Sequence, residues 1–291
     1  MRIFVAVDGT SSSDVVIQEA ARRPWPAGSQ FALVQAIDPY FFTHAPAPME
    51  EAKEGAAKIL EQLAKPLTDA GWEVESNVIF ANPRHGLTQA ASERRADLLM
   101  MGSHGRGTVS RLLLGSTAQA VLRHAECSVE IIRSRGEARE EGMRVLVASD
   151  GSQHGKAAVL AVATRPWPKG SEFKVLSSPE YPVLVGEYPY YAPEQVAELS
   201  KQSMENAKEA IEDGAEVLKQ AGLNANGEVI EPMDTPAHSI LAAAEDWKAD
   251  LIVMGSHGRR GFDRLVLGSV SESVALHAKC SVELVRIAAA E

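Results

Sequence analysis

The chain repeats itself, and that repeat decides most of what it can fold into. "VAVDGTSSS" (5–13) returns as "VASDGSQHG" (147–155), and "RRPWPAGSQF" (22–31) returns as "TRPWPKGSEF" (164–173), each 142 residues downstream. Further along, "MGSHGRGTVSRLLLGS" (101–116) returns as "MGSHGRRGFDRLVLGS" (254–269), now 153 residues downstream. The second copy therefore carries an insertion between about 179 and 200, in "PEYPVLVGEYPYYAPEQV". A charged, apolar-poor stretch, "SRGEAREEG" (134–142), separates the copies. A tandem duplication of this length implies two like domains, 1–135 and 143–291, each long enough to bury its own core.

Within each copy, apolar runs alternate with helical stretches. "RIFVAVD", "SQFALVQAID", "WEVESNVIF", "DLLMMG" and "CSVEIIR" read as strands, and "RVLVASD", "SEFKVLSS", "LNANGEVIE", "ADLIVMG" and "CSVELVR" repeat the order. Between them lie helices opened by Ser, Asp or Pro and closed by Gly or Pro, such as "PRHGLTQAASERRA" with Pro83 in its first turn. Pro66 is expected to kink or shorten the second helix. Alternating strand and helix with apolar strands means an α/β fold, a parallel sheet covered on both faces. Ligands in such sheets bind beyond the carboxyl ends of the strands, where the strand order reverses.

The net charge of −10 argues against a nucleic-acid or anionic-membrane partner, because those surfaces need clustered Lys and Arg. No apolar run reaches the roughly 18–20 residues of a membrane span. "MRIFVAVDGT" reads as a first strand rather than a signal peptide, so a cytoplasmic protein is expected. Cys127 and Cys280, in the matching contexts "AECSVEIIR" and "AKCSVELVR", read as buried reduced thiols, with no zinc spacing.

The glycine stretch carries the chemistry. Its spacing is Gly102-x2-Gly105-x9-Gly115-Ser116, and again Gly255-x2-Gly258-x9-Gly268-Ser269. Absent side chains let backbone N–H groups approach an anion, and the start of a helix offers free N–H donors with a positive dipole end. Together they make a phosphate seat that needs no lysine. The other reading is a tight βα turn with a serine helix cap. The pattern is not a P-loop, and it follows strand four rather than strand one, unlike a dinucleotide fingerprint. Asp8 and Asp150, at the end of the first strand of each copy, are either acceptors for a base or ribose or caps for the next helix. His104 and His257 read as side chains fixing the turn rather than as catalysts. Arg111 and Arg264, in the spacer, stand either near phosphate or in an ion pair. The inserted loop holds Tyr181, Tyr188, Tyr190 and Tyr191, and it either faces the second cleft or a partner or packs on its own domain.

The strand-one Asp, then "MGSHGRG…LLLGST", then "CSVEIIR" resembles the universal stress protein family, and the resemblance covers both copies. It implies two five-stranded parallel sheets of order 3-2-1-4-5, adenine nucleotide alpha hydrolase-like, paired through strand five. It implies ATP as ligand, with Mg2+ as accompanying ion. Carried over by position, Asp8 meets the adenine end, Ala36 lines the adenine pocket, and Gly102, Gly105, Gly115 and Ser116 contact ribose and phosphates. Asp150, Gly255, Gly258, Gly268 and Ser269 match in the second copy, but Ser178 replaces Ala36, and Pro179 cuts the strand short. The expected function is that of an ATP-binding regulatory protein of the stress response, binding an adenine nucleotide but neither nucleic acid nor membrane. A slow ATPase and a nucleotide-free pairing scaffold are the alternatives, and association of two chains into a homodimer stays open.

Overall fold

A computed structural model describes residues 1–42, 47–105, 114–134, 141–179, 193–230, 235–258 and 267–287. Arg111, Arg264 and the four tyrosines of the insertion lie outside the described residues.

The first copy runs β1 (Arg2–Val7), α1 (Ser11–Arg22), β2 (Gln30–Ile37), a 3-10 turn (Pro39–Phe42), α2 (Ala47–Asp69), β3 (Glu73–Phe80), α3 (Pro83–Glu93), β4 (Leu98–Gly102), α4 (Ser116–His124) and β5 (Ser128–Ile132). The second runs β6 (Arg144–Ala148), α5 (Gln153–Ala163), β7 (Glu172–Ser177), α6 (Pro193–Gln220), β8 (Ala225–Val229), α7 (Pro236–Asp246), β9 (Leu251–Gly255), α8 (Ser269–His277) and β10 (Ser281–Val285). The strands form one ten-stranded sheet of order β3-β2-β1-β4-β5-β10-β9-β6-β7-β8. Each copy thus has the order 3-2-1-4-5. Pairing is parallel within each copy and antiparallel at the β5–β10 seam, where Val129, Glu130 and Ile131 face Leu284, Glu283 and Val282. The expected pairing through strand five is what the sheet shows.

Strand alternation sorts the core. Ile3, Val5 and Val7 of β1 pack with Phe31 and Leu33 of β2 under α1 and α2. Phe4 and Ala6 point the other way, with Val34, toward α3 and α4. On that second face the buried residues of both copies merge into one cluster, Leu122 and Val129 joining Val274 and Val282 across the seam. Under α1/α2 and α5/α6 each copy keeps its own cluster. The halves are also latched by reciprocal arginines. Arg133, just past β5, donates from Nη2 to the Ala275 carbonyl at 2.6 Å in the last turn of α8. Arg286, just past β10, donates to the Leu122 carbonyl at 2.6 Å in the last turn of α4. Cations there complement the negative ends of the two helices.

Two local expectations meet the structure differently. Helix α2 continues through Pro66 to Asp69 and ends before Gly71, whose φ of +87° suits glycine. Pro66 cannot donate to the Gln62 carbonyl, a loss of about 3 kcal/mol in an isolated helix. Leu60, Leu63 and Leu67 are buried on either side of it, and that packing holds the helix together. Strand β7, in contrast, stops at Ser177, two residues before Pro179, as the proline requires.

Candidate functional site

At the carboxyl ends of β1, β2 and β4 the first half opens into a cavity of about 810 Å³, a size suited to a small-molecule ligand. It lies where the order reverses between β1 and β4, so one wall leads to α1 and the other to α4. All six candidates of the first copy line it: Asp8, Ala36, Gly102, Gly105, Gly115 and Ser116.

The glycines are there for three different spatial reasons. A Cβ on Gly102 would run into the Ser12 hydroxyl. One on Gly105 would lie 2.7 Å from Asp8 Oδ2. Gly115 meets nothing closer than the Ser103 carbonyl at 3.4 Å, and its φ of −62° is open to any residue. The space kept free at Gly115 is therefore cavity, not protein.

Gly115, not Ser116, is the helix cap. It sits in extended backbone, donates its own N–H to the Ser103 carbonyl at 2.8 Å, and makes no side-chain cap bond. Ser116 is the first helical residue, so the serine-cap reading does not describe this turn. The first-turn N–H groups of Ser116, Thr117 and Ala118 precede the first intrahelical bond, from the Gln119 N–H to the Gly115 carbonyl at 3.0 Å, and all three residues line the cavity. The positive end of α4 is aimed the same way. Among the described lining residues there is no Lys or Arg.

Asp8 serves the turn with one carboxylate oxygen and faces the cavity with the other. Its Oδ1 accepts from the Thr10 N–H at 3.0 Å, the Thr10 hydroxyl at 2.6 Å and the Ser13 hydroxyl at 3.0 Å, tying the turn into α1. Its Oδ2 faces Gly105 on the cavity wall. His104 has Nδ1 2.8 Å from the Ser103 hydroxyl, consistent with a ring that fixes the turn, and its Nε2 is buried without a protein partner.

Sequence reasoning missed much of the opposite wall. Gln35, Asp38, Phe41 and Phe42 line the cavity, as do Ala52, Gly55, Ala56 and Ile59 of α2. The signal for Gln35, Asp38, Phe41 and Phe42 was their place at or just after the end of strand two. The spacing of the α2 residues, i, i+3, i+4 and i+7, marks one helix face, but periodicity alone reads it as core.

The second copy repeats the glycine geometry with altered surroundings. Asp150 Oδ2 lies 3.0 Å from where a Gly258 Cβ would be, Gly268 donates to the Ser256 carbonyl at 2.9 Å, and Ser269 opens α8. Ser178 stands in place of Ala36, and its hydroxyl is buried without a partner. The place of Ser12 is taken by His154, packed against Gly255, with its ring centroid 5.0 Å from that of buried His257. Burial, and then the neighbouring His257, hold the His154 pKa below its ordinary value, with Asp150 opposing. Ser271 donates to the Gly255 carbonyl at 2.8 Å, where the first copy has Ala118.

These features define a duplicated, doubly wound α/β protein with a glycine-walled cleft at its switch point. The chain belongs to the universal stress protein family, whose model matches residues 1–133 and 143–286. It is 27% identical over 295 residues to a universal stress protein of Mycolicibacterium smegmatis, covering 98% of this chain and 96% of that one. It is 28% identical over 295 residues to universal stress protein Rv2005c of Mycobacterium tuberculosis, covering 95% and 93%. In fold it is similar to a universal stress protein from Archaeoglobus fulgidus, with a TM-score of 0.66, 21% identity, and 100% and 97% of the two chains covered. No helix among the described residues is long and apolar enough to cross a membrane.

Proposed function

We propose that the chain is an ATP-binding regulatory protein of the stress response, with the first half as its principal seat. One observation carries this reading. The first-turn N–H groups of α4, which precede its first intrahelical bond, open onto a ligand-sized cavity that also reaches the exit of β2. Such a cavity suits a molecule with an anionic tail and a flat, largely apolar head. In this reading Gly102, Gly105, Gly115 and Ser116 hold ribose and phosphates, Ala36 walls the base, and Asp8 Oδ2 accepts from the nucleoside. Mg2+ fits as a phosphate-borne ion. Asp8 is a carboxylate at hand, and among the described residues no cluster of three or more His, Cys, Asp or Glu could hold a metal by itself.

In the second half, Asp150, Gly255, Gly258, Gly268 and Ser269 form the weaker seat. The phosphate geometry is kept, but His154 stands over it and the small apolar wall is lost. Calorimetry on nucleotide-stripped protein tests the reading. One strong site for ATP is expected, and no heat at millimolar ATP overturns it.

A further inference from the structure

We propose that Gln35 is the residue that selects the base, reading adenine through its side-chain amide in a slot against α2. This rests on the nucleotide reading above and deepens it.

Gln35 is 5% exposed and lines the cavity, and its Oε1 is buried with no hydrogen-bond partner in the chain. A buried, unpaired amide oxygen is unfavourable by about 1–3 kcal/mol, and native folds rarely carry one without a use. By strand alternation Gln35 lies on the same sheet face as Phe31 and Leu33, the face covered by α2. Ala36 lies on the other face. The amide is therefore aimed at the α2 side of the cavity.

The facing helix is small there. Ala52, Gly55 and Ala56 occupy neighbouring positions on one face of α2 and line the same cavity. Gly55 is inside a long helix, where glycine is about 1 kcal/mol worse than alanine. A Cβ at Gly55 would meet no described atom within 4 Å, so nothing among the described residues requires glycine there. A slot with small apolar walls and one amide at its rim suits a flat heteroaromatic ring. Adenine offers the amide an N6–H donor beside a ring-nitrogen acceptor, the pairing by which Gln reads adenine elsewhere. In the second half this position is Ser177, too short for a two-point contact, which agrees with a weaker second seat.

The test compares ATP, GTP and inorganic tripolyphosphate on the full chain. Gln35→Leu should weaken ATP about tenfold and leave tripolyphosphate unchanged, because the phosphate seat is untouched. Gln35→Glu, which can only accept, should shift the ATP-to-GTP preference toward GTP, whose edge offers two donors. Gly55→Leu, on an exposed helix position where leucine favours folding, should fill the slot, abolish ATP binding and spare tripolyphosphate. If Gln35→Leu and Gln35→Glu bind ATP and GTP as the unaltered chain does, Gln35 does not read the base, while the phosphate seat stands. If the unaltered chain binds neither ATP nor tripolyphosphate, the nucleotide reading itself fails and this inference with it.

Discussion

Glu130 and Glu283 stand directly opposite each other across the antiparallel β5–β10 seam, both fully buried. Two carboxylates in that arrangement would repel strongly if left alone. Each is instead gripped by an arginine from the end of the first helix of its own half. Arg23 reaches Glu130 through two bonds of 2.6 and 2.9 Å, and Arg165 reaches Glu283 through two of 2.6 and 2.7 Å. Glu19 adds a bond of 2.8 Å to Arg23. Their carboxylate partners hold both guanidiniums above the ordinary arginine value against the opposing effect of burial. The seam between the duplicated domains thus buries two arginine–glutamate pairs, each closed within its own half, with the two carboxylates facing across the strands.

Removing one member of this cluster should be severe. Glu130→Ala leaves Arg23 buried with Glu19 as its remaining partner and strips it of its two-point contact, and a loss of about 3 kcal/mol is expected in urea unfolding. The paired change Arg23→Met with Glu130→Leu should recover most of it, since a well-packed apolar pair removes the need for compensation. A single Glu130→Ala variant as stable as the parent would mean the seam does not depend on the cluster.

Gly115 and Gly105 should fail in different ways. Gly115→Val has an allowed backbone, and its Cβ meets no described atom closer than 3.4 Å, so the protein should fold and lose ATP affinity roughly a hundredfold. Gly105→Ala must displace the Asp8 carboxylate, so a smaller loss in ATP affinity together with lower thermal stability is expected. Circular dichroism melts and calorimetry on the same samples separate the two effects.

The His154–His257 contact should govern the second cleft. His154→Ser restores the residue of the first copy, and ATP stoichiometry should rise toward two per chain. A ratio that stays at one would place the obstacle elsewhere, with Ser178 and Pro179 the next to change.

The same histidine gives a pH signature. Its folded pKa lies below the ordinary 6.5, because burial and then His257 disfavour the imidazolium, with Arg286 adding and Asp150 opposing. The folded state therefore binds this proton less readily than the unfolded chain. The group leaves stability unchanged above about pH 6.5 and lowers it as pH falls below that value toward the folded pKa. Melting temperatures of His154→Ser should fall less steeply than those of the parent in that acid range.

Cys127 should be a poor nucleophile. Burial pushes its thiol up to about 11, so almost none is thiolate at neutral pH. Labelling by a maleimide should be slow in the folded protein and fast in urea. Rapid labelling of Cys127 under native conditions would contradict its placement.

Much of this was legible from the residues because the duplication reports each signal twice. The strand order and the seam followed from the family resemblance, and the glycine positions from spacing alone. Two kinds of fact were not legible. Pro66 inside α2 is a tertiary override, where three buried leucines outweigh one lost hydrogen bond. Gln35 and Gly55 are 20 residues apart, and nothing in the sequence says that β2 and α2 present them to one space. The serine after the last glycine looked like a cap by type, and only the backbone shows that Gly115 holds that place.

The central claim is that the bare amides at the start of α4 hold a polyphosphate. A crystal structure of the chain grown with a non-hydrolysable ATP analogue tests it most directly. Phosphate density is expected within hydrogen-bond distance of the backbone nitrogens of Ser116, Thr117 and Ala118, with the base toward Gln35. An empty first cleft at saturating analogue, or phosphates bound away from those nitrogens, would contradict it.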